Sequence, residues 1–310
     1  MKTEALQRHR INRVMNFARN SSSKTLSLGN MADVACLSQY HFSRVFADHC
    51  QETPLAYVSR MRLEQSVSSL MYHLDLSITS IAFEAGFSSS QAFSNAFLRR
   101  FGISPRNFRN RNMYFSKDVP FNQAPHMLEK RETSENVLNY TRNWDVKLKT
   151  LPATRLAYVR QRSAYFSPHS ELCDVFSILI DWAKQNDLWD ENTSIIGVCP
   201  DNAAITPPQF CQYDVGIPVE HGVDEDEIVS IQNIPSATLA RLTVRGPLPV
   251  VREGWKWLIS EWLPKSGMVL ADHAFYEIFQ SSSFSETGDI IEGDLCVPVR
   301  FKPMTLCRRS

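Results

Sequence analysis

Two short stretches carry hydrogen-bonding side chains at spacings suited to reading a nucleic acid. Gln39, Tyr40, His41, Ser43 and Arg44 are interleaved with Phe42, Val45 and Phe46, and Ser90, Gln91, Ser94 and Asn95 with Phe93 and Phe97. On a helix, phenylalanines four apart share one face, so the polar residues between them point outward. Arg44 can fork onto guanine N7 and O6, and Gln39, Gln91 and Asn95 can bond adenine edges. Tyr40 suits a thymine methyl or a phosphate. Arg99, Arg100, Arg106 and Arg109 suit the phosphates. A solvated helix face could carry the same residue types, so the elements around them must decide.

Those elements repeat. Ala32, Ala35 and Leu37 match Ala82, Ala85 and Phe87, and Phe42, Phe46, Thr53-Pro54 and Tyr57 match Phe93, Phe97, Ser104-Pro105 and Phe108. One extra residue lies near the start of the second copy's second helix. Each copy predicts helix, tight turn, helix. The second begins with a short helix from Ser80 to Glu84, turns at Gly86 and caps its next helix with Ser88, and Ser38 caps the equivalent helix of the first. This is helix-turn-helix geometry, in which the second helix enters the major groove. A long helix from Pro54 to about Leu74 joins the two units, which would let one chain bind an asymmetric site.

Charge agrees. The chain of 310 residues has no net charge, with 33 Lys+Arg against 33 Asp+Glu, yet residues 1–116 hold 14 basic against 7 acidic side chains and the remainder 19 against 26. A basic leading third suits a polyanion. With 43% hydrophobic and 21% charged residues the composition is globular and excludes global disorder. There is no long apolar run for a membrane helix and no apolar core of a secretory signal near the N-terminus. Seven cysteines without a C-x-x-C pair argue against a zinc module or a disulfide framework and for a reduced, cytoplasmic protein. G-x-S-x-G, phosphate-loop and H-E-x-x-H motifs are absent, so no catalytic residue, metal or cofactor is expected. No heptad run argues for a dimer, which favours a monomer.

Residues 116–143 contain prolines and many polar side chains without periodicity and suggest a linker. Beyond it, LPATRLAYVRQR (151–162) aligns without gaps to IPSATLARLTVR (234–245). Each copy precedes a helix and then two strand-like runs: 194–199 and 211–219, then 274–280 and 294–300. The expected architecture is an α+β multidomain chain. An all-α double helix-turn-helix domain (1–115) precedes a duplicated α+β domain (144–310), a repeated β-β-α-β-β unit with helices over one antiparallel sheet and a cleft at its pseudo-twofold axis.

Residues 26–111 resemble the DNA-binding domain of AraC/XylS-type regulators. Ile81, Ala82, Gly86, Phe87, Ser89, Phe93, Phe97, Gly102, Ser104, Pro105, Phe108 and Arg109 fit the pattern of the family's second half, and Arg62-Leu63-Glu64 resembles an element of its connecting helix. The chain departs from it at Cys36, where the family usually has glycine, and at Asn95, where many members have arginine. Residues 144–302 resemble the GyrI-like effector-binding domain through Leu151-Pro152-Ala153, Ile205-Thr206-Pro207, Cys211-Gln212-Tyr213-Asp214, Trp262-Leu263-Pro264-Lys265-Ser266-Gly267, Phe275-Tyr276-Glu277-Ile278-Phe279 and Val297-Pro298-Val299. Gln212 stands where an arginine is often found. The order of the two domains is similar to the Rob-type arrangement.

The resemblance implies a transcription regulator binding double-stranded DNA and a small, cationic or amphipathic effector. It places Glu277 at a pocket floor ringed by aromatics, with Tyr158, Tyr165, Phe166, Tyr213, Trp255, Trp257, Phe275 and Phe279 as candidate walls. Two alternatives remain at this stage: a hydrolase using Glu277 with a tyrosine as acid and base, or a protein-interaction module, for instance toward RNA polymerase. The run Asp224-Glu225-Asp226-Glu227 suggests a solvated loop.

Overall fold

The computed structural model describes residues 2–21, 26–73, 75–111, 144–162, 169–202, 205–271, 273–280 and 290–301. The N-terminal part is helical throughout: α1 (Lys2–Asn20), α2 (Leu28–Val34), α3 (Gln39–Cys50), α4 (Pro54–Tyr72), α5 (Ile78–Glu84), α6 (Ser90–Phe101) and α7 (Pro105–Arg111). The boundaries follow from capping. Ser27, Ser38, Thr53, Ser77 and Ser89 each accept a hydrogen bond from a backbone N–H of the turn they open. The cap of α6 is thus Ser89, one residue later than the sequence pattern suggested, and α5 starts at Ile78 rather than Ser80.

The two helix-turn-helix units, α2–α3 and α5–α6, have equivalent turns. Gly86 has φ +78°, and Cys36 has φ +53° at the matching position of the first unit. The first unit therefore keeps the turn geometry with a side chain in the left-handed region, where a Cβ is strained. Phe42 and Phe46 are fully buried with Tyr57, as are Phe93 and Phe97 with Phe108. Each unit therefore has its own aromatic core, and α4 links them.

The C-terminal part contains β1 (Val146–Leu151), β2 (Thr154–Arg162), α8 (His169–Gln185), β3 (Ser194–Cys199), β4 (Gln212–Pro218), β5 (Ser230–Ile234), β6 (Ala237–Gly246), α9 (Leu248–Trp257), β7 (Met268–Leu270), β8 (Phe275–Gln280) and β9 (Ile291–Phe301). The helix α9 continues through a π-turn, Leu258–Trp262, into Leu263–Lys265; Pro264 has no N–H to give to the preceding turn. The strands form an antiparallel sheet in the order β1-β6-β9-β8-β3-β4-β2-β5, with β7 pairing on β9.

This order is palindromic in the two repeats. The first copy is β1-β2-α8-β3-β4 and the second β5-β6-α9-β8-β9, so the pseudo-twofold axis runs between β3 and β8. Each copy lends its first strand to the other, β1 to β6 and β5 to β2. The short β7 is an insertion that the internal alignment did not reveal.

Alternation along the strands gives the sheet two faces. Ala157, Tyr213, Val215, Ile195 and Phe279 pack under α8, while Leu242, Val244, Leu295 and Val297 pack under α9. The opposite face carries Leu156, Tyr158, Ile196, Val198, Tyr276 and Ile278.

The N-terminal helix α1 belongs to both parts. Its apolar side (Ile11, Val14, Met15, Ala18) enters the core of the first helix-turn-helix unit. Its polar side meets the sheet. Asn16 Nδ2 donates to Tyr158 Oη at 3.0 Å and its Oδ1 accepts from Arg160 at 2.9 Å. Asn12 donates to Ser230 at 3.1 Å. Arg19 reaches Asp201 at 3.2 Å and Gln212 at 3.1 Å. A second contact joins α4 and α6 to the segment after β3: Glu64 accepts from Thr206 at 2.8 Å, and Arg100 donates to the Ile205 carbonyl at 2.6 Å.

Candidate nucleic-acid interface and effector recess

The first surface is built from α3, α6 and α7. With Phe42, Val45 and Phe46 turned inward, Gln39, Tyr40 and Arg44 are exposed, Tyr40 at 81%, and His41 and Ser43 are half-buried beside them. The Ser43 hydroxyl donates to the Gln39 carbonyl at 2.8 Å. On α6, Gln91, Asn95 and Arg99 are exposed and Ser90 half-buried, and Arg106 is exposed on α7. Gln91 Nε2 donates to Asn95 Oδ1 at 2.9 Å, one turn apart. That bond fixes both amides and leaves the Gln91 carbonyl and the Asn95 NH2 to face a partner, the acceptor–donor pair that an adenine edge complements.

Two arginines expected at phosphates are engaged inside the protein. Arg100 pairs with Glu64 at 3.2 Å besides its bond to Ile205. Arg109 donates to the Leu76 carbonyl at 2.8 Å, and its Nε and Nη2 are buried. Both hold the second unit together, Arg100 against the sheet domain and Arg109 against the turn before α5. Sequence spacing places them one turn from exposed positions but cannot see these partners.

The second site centres on Glu277, in the middle of β8. The register pairs it with Gly197 of β3 on one side and Leu295 of β9 on the other. It lies beside the pseudo-twofold axis and on the helix-covered face. Tyr213 Oη donates to Glu277 Oε2 at 2.5 Å, and Trp255 Nε1 to Oε1 at 2.9 Å. Trp255 stacks on Phe275, with centroids 5.7 Å apart and rings inclined by 14°. Phe279 is buried edge-on to Phe176 at 6.0 Å.

Gly197 makes this arrangement possible. A Cβ there would stand 2.1 Å from the Tyr213 hydroxyl, so the phenol crosses β3 only over a glycine. The signal was available in the sequence as a glycine inside a strand pattern, but its meaning needed the register.

Burial pushes the Glu277 carboxyl up from the ordinary carboxylate range, against the opposing effect of its two hydrogen bonds. Burial and the neighbouring carboxylate also push the Tyr213 phenol well up. Among the described residues no cation pairs with Glu277: its hydrogen-bond donors are neutral. When ionised, the carboxylate is held by neutral donors alone, and a buried charge without a counter-charge is costly, which is why burial favours its neutral form.

Tyr213, Trp255, Phe275 and Phe279 therefore do gather at or near Glu277. Tyr158 does not. It sits on the opposite face of the sheet, bonded to Asn16 of α1, because residue parity along β2 sends Ala157 under α8 and Tyr158 away from it. Trp257 packs on Trp144 at 5.4 Å instead of joining the group. Tyr165, Phe166 and the linker at 116–143 lie outside the described residues. Among those described, no helix is long and apolar enough to cross a membrane, and no cluster of three His, Cys, Asp or Glu side chains could hold a metal ion.

Comparison with known proteins agrees with both halves. The profile of the GyrI-like small molecule binding domain matches residues 145–300, and that of a helix-turn-helix domain matches residues 31–111. The chain belongs to the GyrI-like family and carries an AraC-type helix-turn-helix domain ahead of the GyrI-like one. It is 38% identical over 89 residues to the HTH-type transcriptional regulator AlkR of Acinetobacter baylyi, covering 29% of each chain. It is 36% identical over 100 residues to the HTH-type transcriptional activator RhaS of an Enterobacter species, covering 32% of this chain and 36% of RhaS. The match thus spans about a third of the length of these relatives. The solved C-terminal domain of EcmrR aligns with 51% of this chain and 98% of its own, at 15% identity and a TM-score of 0.40.

Proposed function

We propose that the protein is a sequence-specific DNA-binding transcription regulator whose C-terminal domain takes a small cationic or amphipathic effector at Glu277. The observation that carries the effector reading is the Glu277 carboxylate, fixed by Tyr213 and Trp255 yet without a cation among the described residues. A bound cation supplies the missing charge, and the stacked Trp255 and Phe275 offer aromatic faces to it. The two exposed helix faces, with the Gln91–Asn95 pair set for a base edge, support the DNA reading. Gln39, Tyr40, His41, Ser43, Arg44, Ser90, Gln91 and Asn95 face the bases in this reading, and Arg99 and Arg106 the phosphates.

The test is a thermal-shift series on the full chain with lipophilic cations, bile-salt-like anions and neutral amphipaths, run beside Glu277→Gln. At a hundred times its dissociation constant a ligand adds about 2.7 kcal/mol of stability. Cations should stabilise the wild type and lose that effect in the variant. A response to anions alone, or one that survives Glu277→Gln, removes the reading. The short Tyr213–Glu277 hydrogen bond favours a second reading, acid–base hydrolysis of a small electrophile. Turnover that disappears in Tyr213→Phe would establish it.

A further inference from the structure

A cavity of about 230 Å³ lies between the two parts of the chain, walled on the sheet side by Val198, Ile234 and Tyr276 of the face opposite Glu277, with Phe275 reaching its edge. Asn20 of α1, Gln65 and Ser68 of α4, and Asn233 at the end of β5 line it with amide and hydroxyl groups, and Met61, Pro235 and Leu270 supply apolar wall. The arginine and carboxylates of the wall already have partners: Arg19 is paired with Asp201 at 3.2 Å, and Glu64 with Arg60 at 3.0 Å and Arg100 at 3.2 Å. These ion pairs balance the wall's arginine and carboxylates internally; Arg19 Nη1 is buried without a hydrogen-bond partner among the described residues and His273 also lines the cavity, so the oxygens of a guest find donors there. Groups that both donate and accept hydrogen bonds find many partners. The volume is below the ~300–1,000 Å³ of pockets for drug-sized ligands, so the guest is small.

From this lining we infer that the interdomain cavity is a second ligand site, distinct from Glu277, for a small uncharged polyhydroxylated molecule. Vicinal hydroxyls match the amides, and the C–H edges of such a molecule match Met61, Pro235 and Leu270. Because the walls come from α1, α4 and the sheet domain together, the guest binds only the docked arrangement of the chain. Occupancy therefore clamps the DNA-reading helices to the sensing domain, and any change in docking changes the affinity for the guest by linkage.

The experiment uses the full chain and a panel of tetritols, pentoses and hexoses at millimolar concentration, with thermal midpoint and amide exchange of α1 as readouts. Polyols stabilise proteins without a site only at far higher concentration and without saturation. The expected result is a saturable rise in midpoint with slower exchange in α1 for at least one panel member, in the wild type and in Glu277→Gln alike. The rise should vanish in Ser68→Phe, which fills the cavity from α4. Asn233→Leu, on the opposite wall, should weaken it at least tenfold and serves if Ser68→Phe does not fold. No saturable rise anywhere in the panel, or one unchanged in both cavity variants, overturns the inference. A tetraphenylphosphonium arm reports on Glu277 independently, so failure at one site is not confused with failure at the other.

Discussion

At Glu277 the chemistry depends on atoms that the neighbouring strands place. The raised carboxyl pKa has a consequence whose sign is definite. The neutral form persists above the ordinary carboxylate range, and only the ionised form attracts a cation, so affinity for a permanent cation should rise with pH through that range. Gly197→Ala should weaken cation binding without unfolding the sheet, because the new methyl drives the Tyr213 hydroxyl off Glu277; a titration of the variant that matches the wild type would contradict the geometry. Cys36 makes the opposite case. With φ at +53°, Cys36→Gly should stabilise the chain by about 0.5–1 kcal/mol, read as a higher denaturation midpoint with an unchanged slope. The sequence marked this position as a departure from glycine, and the turn has kept its shape.

At the scale of elements, α1 is the piece that pattern reading did not place. Ile11, Val14, Met15 and Ala18 form its buried face, but its polar partners lie far along the chain, and no local periodicity points to them. Arg160 makes a bidentate ion pair with Asp214, at 2.6 and 2.7 Å, and Asn16 completes the group. Arg160→Met should cost about 3–5 kcal/mol by leaving Asp214 buried without its cation. Urea denaturation of the full chain would measure it, and a loss under about 1 kcal/mol would mean that Asp214 does not depend on this ion pair. The helix-turn-helix units were legible because the apolar spacing agreed between the two copies, although the second copy's cap lay one residue later than expected and the first copy's turn carries Cys36 in place of glycine. Tyr158 was misplaced for a related reason. An aromatic in a strand is visible in sequence, but the face it takes depends on register with β4 and β5.

Over the whole molecule, the basic leading third and acidic remainder correspond to a helical reader and a sheet domain that touch through α1, α4 and the segment at Ile205-Thr206. The palindromic sheet was foreseen as a duplicated unit, whereas the exchange of first strands between copies was not, because alignment of repeats says nothing about which copy a strand pairs with. Charge alone does not separate exposed arginines from those with partners inside the protein, such as Arg100 and Arg109. Arg99→Ala and Arg106→Ala should each lower the slope of log affinity for duplex DNA against log salt by about 0.9, the value of one phosphate contact. Arg100→Ala should leave that slope unchanged and lower stability instead, since its partners are Glu64 and Ile205. Equal slope changes in all three would mean that Arg100 leaves the protein interior when DNA binds.

The account stands most directly on one calorimetric measurement: titration of the full chain with tetraphenylphosphonium at pH 5 and pH 8, in the wild type and in Glu277→Gln. The predicted result is saturable binding by the wild type, tighter at pH 8, and binding by the variant that is at least tenfold weaker and insensitive to pH. Equal affinities in the two proteins, or wild-type binding that tightens as pH falls, would contradict the assignment of Glu277 as the centre of an effector site.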